Sequence, residues 1–247
     1  MPRAFLTAEW RWLAMLNYRV APDLLRPFVP TGTELDCWNG ATYLSIVGFL
    51  FRETRVHGVP VPFHRHFEEV NLRIYVRRIV DGEVRRAVTF IRELVPRRVI
   101  AAVARLTYNE PYTALPMRHQ LGPRDVRTGA PTVLEYGWRH RGNWCRLSAE
   151  PIGVAQPLQA GSEEEFIAEH YWGYTRQRDG GTVEYRVEHP PWRVWQVQDA
   201  RLDGDVVPLY GTELASAVSC TPASAFVADG SAVSLSLPVR VPSNREG

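Results

Sequence analysis

Residues 69–76 alternate strictly between polar and apolar side chains, and this pattern restricts the possible folds more than any other stretch of the chain. A period of two residues predicts a β-strand, because successive side chains of a strand point to opposite faces. One face carries Val70, Leu72, Ile74 and Val76, and the other carries Glu69, Asn71, Arg73 and Tyr75. The polar face lines a binding site if it points into a closed sheet, and it is ordinary surface if it faces solvent. The alternation alone leaves both interpretations open.

The rest of the chain predicts a mainly β protein of the α+β type with two or three short helices. Strands are predicted at residues 10–20, 42–51, 68–79, 83–94, 182–188, 193–202, 214–220 and 231–241, with one more on each side of Gly142. Short helices are predicted at residues 21–25, at 98–108 and from the Ser162 capping box to about Trp172. Because no repeat or linker interrupts the sequence, we expect a single domain covering residues 1–247.

The strand at residues 10–20 is rich in aromatic residues and carries one candidate site residue. Counting by twos places Arg11 on the same face as Leu13 and Met15, and places Trp10 and Trp12 on the opposite face.

All 29 basic residues of the chain are arginines, and there is no lysine. A side-chain amine is therefore unavailable as a nucleophile or for forming a Schiff base. The net charge is only +2, so composition gives no electrostatic basis for binding nucleic acid or a membrane. We expect the partner to be a small molecule, and a homo-oligomer remains possible.

The cysteine and histidine residues give no pattern of a disulfide or metal site. Cys37, Cys145 and Cys220 are far apart in the sequence, which argues against a disulfide framework or a zinc knuckle. Residues 57–66 contain three histidines in a proline-rich loop, but the spacing dictates no further ligand, so we expect no metal.

No phosphate-binding loop or nucleophile elbow is present, and we expect no cofactor. Without a signal-peptide pattern or a membrane-spanning run, we expect a soluble cytoplasmic protein.

Several short motifs occur in a recognisable order. They are Phe67-x-Glu69-Val70-Asn71-x-Arg73-x-Tyr75-Val76, then Ala104-Arg105 with Pro111-Tyr112, then His170-Tyr171-Trp172, and last His189-Pro190-Pro191-Trp192. With these motifs, residues 10–240 resemble the YqjF-like bacterial family of unknown function. That family is placed with the acetoacetate decarboxylase-like fold, a closed antiparallel β barrel or cone whose interior holds the active site. In the last motif, packing of Trp192 between two strands is the simpler interpretation.

The resemblance implies roles for particular residues. Arg11 falls where the decarboxylases keep a substrate-binding arginine, and Glu69 falls on their active-site glutamate. Their paired lysines correspond to Tyr112 and Thr113 in this sequence. Because a tyrosine cannot form an imine and no lysine exists elsewhere, the resemblance implies the cavity but excludes Schiff-base decarboxylation.

The implied pocket contains Arg11, Glu69, Asn71, Arg73, Tyr112 and Thr113. An arginine there suits a ligand carboxylate, Glu69 would be paired or kept neutral by burial, and Tyr112 would donate a hydrogen bond. Two functions fit this pocket: a binder or sensor of a small carboxylate- or keto-bearing molecule, or a lysine-independent lyase, hydratase or tautomerase. The enzyme would use Glu69 and Tyr112 as acid/base groups. A purely structural polar network is the third interpretation.

Overall fold

A computed structural model describes residues 4–242, and its main feature is one fifteen-stranded sheet. The strands are β1 (Leu6–Val20), β2 (Glu34–Leu35), β3 (Thr42–Val56), β4 (Val59–Pro60), β5 (Phe67–Val80), β6 (Glu83–Val95), β7 (Tyr112–Ala114), β8 (Met117–Leu121), β9 (Leu134–His140), β10 (Asn143–Pro157), β11 (Trp172–Arg176), β12 (Thr182–Glu188), β13 (Arg193–Asp203), β14 (Ser224–Leu235) and β15 (Val239–Arg240). The helices are α1 (Pro22–Leu25), α2 (Arg98–Thr107), α3 (Glu163–Ala168) and α4 (Val207–Val218), with a 3₁₀ turn at Arg26–Phe28. The mainly β fold with short helices is confirmed. Both ends of the predicted domain, residues 1–3 and 243–247, lie outside the described residues.

Seven strands form a closed ring in the order β12, β11, β6, β5, β3, β1 and β14. The ring closes where β14 pairs with β12, through Val187 with Leu235 and Glu188 with Ser234. All neighbours in the ring are antiparallel except β11 and β6. Closure gives each of these strands two partners, so their polar backbone groups pair within the ring and side chains alternate between its inside and outside.

The remaining long strands cover the outside of this ring. Strands β13, β10, β9 and β8 continue the sheet from β14, and together with α4 they pack on the outer face. The outer core joins ring residues such as Leu16 and Ile46 to Trp138, Leu147 and Leu214 of the covering layer. The ring is therefore buried on its outside as well as on its inside.

The strand with the strict alternation is β5, and both of its faces are buried. Its aliphatic residues, Leu72 and Ile74 among them, are fully buried in the outer core. The opposite side chains Glu69, Asn71 and Arg73 point into the ring, where they are 2%, 2% and 9% exposed. The polar side chains at this end of β5 therefore point into the ring and not to solvent.

A β-bulge changes the faces of β1. Trp12 has a positive φ of 59°, and the pairing with β3 shifts register between Arg11 and Ala14. The extra residue reverses the alternation, so Trp10 lies on the inner face with Leu13, and Trp12 packs outside against Trp195 at 5.7 Å. The predicted opposition of Trp10 to Leu13 is therefore wrong.

Three predicted elements differ from the structure. Residues 214–220 do not form a strand, because Leu214, Ala215 and Val218 lie on one face of helix α4 and pack in the outer core. The helix after Ser162 ends at Ala168, since Trp172 and Gly173 pair with β6 instead. The strand predicted at residues 231–241 begins earlier and is interrupted between β14 and β15. In each case tertiary pairing or packing overrides the local pattern.

Candidate functional site

The ring encloses a cavity of about 140 Å³. Its wall is mostly apolar, and its aromatic side chains include Trp10, Phe49, Phe51, Phe67, Phe90 and Trp192. Val99 and Val103 of α2 line the cavity and are also 53% and 41% exposed, so this helix borders the opening. An engineered cavity of roughly 150 Å³ holds one benzene molecule, so this cavity suits a ligand of about six or seven non-hydrogen atoms.

Three carboxyl side chains lie in the cavity wall. Glu69 on β5, Glu93 on β6 and Glu110 just before β7 are 2%, 2% and 4% exposed. Among residues 4–242, none of the three forms an ion pair with an arginine. Buried carboxylates without a counter-charge are costly, so these groups must hold protons or receive a cation from elsewhere.

Glu69 is held by two donors. The Asn71 side-chain amide donates to one carboxyl oxygen at 3.1 Å, and the Tyr112 hydroxyl donates to the other at 2.9 Å. Burial raises the pKa of Glu69 to about 7, although the two hydrogen bonds oppose the shift. Burial and the neighbouring carboxylates of Glu69 and Glu93 raise the pKa of Tyr112 well above its ordinary value, so its hydroxyl remains a donor.

Glu93 and Glu110 form a second acidic group that sequence analysis missed. One oxygen of Glu110 accepts hydrogen bonds from Thr175 at 2.6 Å and from Tyr185 at 2.8 Å. Burial raises the pKa of Glu110 to about 7, and burial together with Glu110 and Glu69 raises the pKa of Glu93 well above its usual range. The second oxygen of each has no hydrogen-bond partner among the described residues, so each group keeps a free acceptor in the cavity wall.

Arg73 is the cationic residue of the cavity wall. It is 9% exposed, its guanidinium donates to the Met15 sulfur at 3.7 Å, and it lies 5.7 Å from the Tyr75 ring centre. Its Nε has no partner within residues 4–242, and it forms no ion pair there. A buried guanidinium with a free donor is suited to binding a carboxylate or another planar anion.

Two histidines complete the polar lining and carry no charge at neutral pH. Burial, with the cations of Arg86 and Arg73, lowers the pKa of His170 well below its ordinary value. Burial also lowers the pKa of His189, which stacks on Trp192 at 4.2 Å. The Trp192 indole donates to Ser231 at 2.9 Å, so the Pro-Pro segment holds this stack against the cavity.

Two predicted site residues lie outside the cavity. The Arg11 side chain is 35% exposed and donates to Glu9 and to the Gly230 carbonyl, each at 3.2 Å. Thr113 accepts a hydrogen bond from Arg92 at 3.3 Å, because it faces the opposite side of β7 from Tyr112. The expected place of Arg11 and Thr113 in the pocket is therefore wrong, whereas Glu69, Asn71, Arg73 and Tyr112 do line one cavity.

Tyr75 belongs to a different set of contacts. Its hydroxyl donates to Ser45 at 2.8 Å, and Ser45 donates to Asn17 at 2.7 Å, all buried within the ring. The structural interpretation therefore applies to this end of β5.

In the part of the chain described, no three His, Cys, Asp or Glu side chains are grouped to hold a metal ion, and no helix is long and apolar enough to cross a membrane.

The fold is that of the acetoacetate decarboxylase-like proteins. The acetoacetate decarboxylase of Legionella pneumophila subsp. pneumophila str. Philadelphia 1 matches with a TM-score of 0.69 and 12% identity, over 98% of this chain and 88% of that one. The enduracididine biosynthesis enzyme MppR, complexed with the condensation product of pyruvate and imidazole 4-carboxaldehyde, matches with a TM-score of 0.65 and 12% identity, over 97% and 90%.

The sequence itself identifies the family. Residues 7–232 match the model of DUF2071, described as an uncharacterized conserved protein, and the chain belongs to this family. It is 25% identical over 187 residues to the uncharacterized protein YqjF of Bacillus subtilis (strain 168), covering 74% of this chain and 72% of that protein. The predicted relationship to the YqjF-like family is confirmed.

Proposed function

We propose that this protein binds a small carboxylic acid inside the ring, as a binder or sensor, with Arg73 as the anchor for the carboxylate. The observation that carries the proposal is a guanidinium that is 9% exposed, lines a cavity, and has an Nε without a hydrogen-bond partner in the described part of the chain. Leaving such a cation buried without a counter-ion costs free energy, and a ligand carboxylate supplies both the charge and the missing acceptor.

The size and the fold support a compact keto or carboxylic acid. A cavity of about 140 Å³ admits a molecule close to pyruvate or acetoacetate in size. MppR, which shares the fold, has been solved in complex with pyruvate. Because this chain has no lysine, its ligand is held by hydrogen bonds and charge and not by an imine.

Replacing Arg73 tests the proposal. We expect pyruvate, acetoacetate or butyrate to raise the melting temperature, and Arg73→Met to weaken their binding by about 30-fold, because a charged hydrogen bond is lost. Arg11→Met is the matched control: it removes an arginine outside the cavity, so it leaves affinity unchanged. Thermal shift and calorimetry measure both effects, with circular dichroism to check folding. Equal binding of neutral analogues such as butyramide, or unchanged affinity of Arg73→Met, contradicts the proposal.

A second candidate function is acid/base catalysis on a keto or enol acid. The specific observation is the pKa of Glu69 near 7 together with its hydrogen bond from Tyr112. A carboxyl group that titrates near neutral pH is suited to transferring protons, as a lyase, hydratase or tautomerase requires.

Proton exchange at the carbon next to the ligand carbonyl distinguishes the two functions. Every acid that stabilises the protein is incubated with it in D₂O and followed by NMR. An enzyme exchanges or converts the acid, and Glu69→Gln slows this by at least tenfold while binding persists. A complete absence of exchange or conversion for all binding acids rejects the enzyme and leaves the binder.

A further inference from the structure

We propose that Glu93 and Glu110 form a second subsite, which binds the ammonium group of a compact amino acid whose carboxylate is held by Arg73. This inference rests on the proposed function and specifies its ligand class. Nothing in the decarboxylase-type resemblance assigns these two residues a role.

The first argument is the balance of charge in the cavity wall. The wall holds three carboxyl groups and one guanidinium, and its two histidines carry no charge at neutral pH. Glu93 and Glu110 are 2% and 4% exposed, and each has an oxygen without a hydrogen-bond partner in residues 4–242. Buried acidic groups are ordinarily paired with a cation, and this chain has no lysine that could provide that counter-charge. A cationic ligand supplies the missing charge.

The second argument is the aromatic surface around these carboxyls. Tyr108 and Tyr185 both line the cavity and meet edge to face, with ring centres 4.9 Å apart. The Tyr185 hydroxyl is bound to Glu110 at 2.8 Å, which places one of these rings beside the acidic pair. Carboxylates combined with aromatic rings are the chemistry that recognises ammonium ions, through charge and cation–π attraction.

The ammonium takes the place of a proton. Without ligand, the raised pKa values of Glu93 and Glu110 leave the pair partly protonated near pH 7; when an ammonium binds, both carboxyls ionise and the remaining proton passes to solvent. Binding therefore strengthens as the pH rises from 6 to 8, with the ligand ammonium still charged. The other titratable or charged groups around the pair are Glu69 and Arg73 on β5, Tyr112 on β7, Tyr108 after α2 and Tyr185 on β12.

Three matched probes test the subsite by calorimetry: 4-aminobutyrate, butyrate and butylamine. We expect 4-aminobutyrate to bind at least tenfold more tightly than butyrate at pH 8. The variant Glu93→Gln/Glu110→Gln should remove this advantage and leave butyrate binding intact. Glu68→Gln, a neighbouring change outside the cavity, is the control and should keep the advantage. Titrations of the unmodified protein at pH 7 in buffers of different ionisation heat should show about one proton released with 4-aminobutyrate and none with butyrate.

The outcomes separate this inference from the proposed function. If butyrate binds through Arg73 but the amine adds nothing, the ammonium subsite is overturned and the carboxylate site stands. If butylamine binds and needs Glu93 and Glu110 while butyrate does not bind, the subsite stands and the carboxylate site fails. If none of the three probes binds, or if the tight binding of 4-aminobutyrate releases no proton, the ammonium subsite is rejected. The proton measurement uses the unmodified chain, so it remains decisive if the double variant does not fold.

Discussion

Glu110→Gln is expected to increase the free energy of unfolding above pH 7 by about 3 kcal/mol. Burial raises the pKa of this carboxyl from 4.5 to about 7. Between these pH values the folded protein keeps a proton that the unfolded chain has released, so stability falls as the pH rises and the loss is complete above about pH 7. A shift of roughly 2.5 pH units corresponds to about 3 kcal/mol. Glutamine stays neutral and retains an oxygen for Thr175 and Tyr185, so the loss disappears.

Urea denaturation at pH 5 and pH 8 measures this effect. The unmodified protein should lose stability between the two values, and Glu110→Gln should lose about 3 kcal/mol less. Glu164→Gln, the same change outside the cavity, should alter stability by no more than about 0.5 kcal/mol at either pH. An identical pH dependence in the unmodified protein and in Glu110→Gln contradicts the buried acidic pair.

The acidic cavity reduces stability at neutral pH, and this cost is the physical link between the fold and the proposed binding. Burial raises the pKa of Glu69 and of Glu110 to about 7 inside a mostly apolar wall. Apolar side chains, which occupy most protein interiors, would not cause this loss of folding stability at these two positions. In a ligand with both groups, the ammonium neutralises the buried carboxyls and the carboxylate neutralises the Arg73 guanidinium. Its binding should therefore raise the melting temperature more strongly at pH 8 than at pH 6.

The sequence predicted which side chains share each face of β5, because a two-residue period is a local property of an extended chain, but it left open which face points inward. It also predicted, through the family resemblance, that Glu69 and Tyr112 belong to one site, and their 2.9 Å hydrogen bond confirms that they meet. Closure of the ring was implied by the resemblance alone. The ring closes through the pairing of Val187 with Leu235, which are far apart in the chain. No local sequence pattern predicts this pairing.

Two errors in the site, the placement of Arg11 and the omission of Glu93, have a common physical cause, which is irregular strand pairing. Arg11 was placed in the cavity by the family resemblance, but the bulge at Trp12 reverses the alternation along β1 and the Arg11 side chain lies outside the cavity. Glu93 was overlooked for the same reason. An uninterrupted hairpin turning at residues 81–82 pairs Glu93 with Val70 and directs it outward, whereas the register shift near Arg73 pairs it with Asn71 and directs it inward.

The last prediction concerns the glycine beneath Tyr185. Gly173→Ala is expected to lower the free energy of unfolding by about 3 kcal/mol, because a Cβ at this position would lie 2.1 Å from Cζ of Tyr185 and 2.4 Å from its hydroxyl oxygen. Tyr185 is the cross-strand partner of Gly173, is 4% exposed and donates to Glu110. Overpacking typically costs about 1–3 kcal/mol, and displacing a donor from a buried carboxyl adds about 1–3 kcal/mol.

A second strand glycine provides the control for Gly173→Ala. A Cβ on Gly137 would meet its nearest neighbour, the Arg118 side chain, at 3.4 Å, so Gly137→Ala should change stability by less than about 1 kcal/mol in urea denaturation. Gly173→Ala should also extend the fall in stability beyond pH 7, because the hydrogen bond from Tyr185 holds down the pKa of Glu110. Equal stability of the two alanine variants contradicts the close packing of Tyr185 on Gly173. It also removes the reason to treat the Tyr185 hydroxyl as a fixed donor that holds Glu110 at the cavity wall.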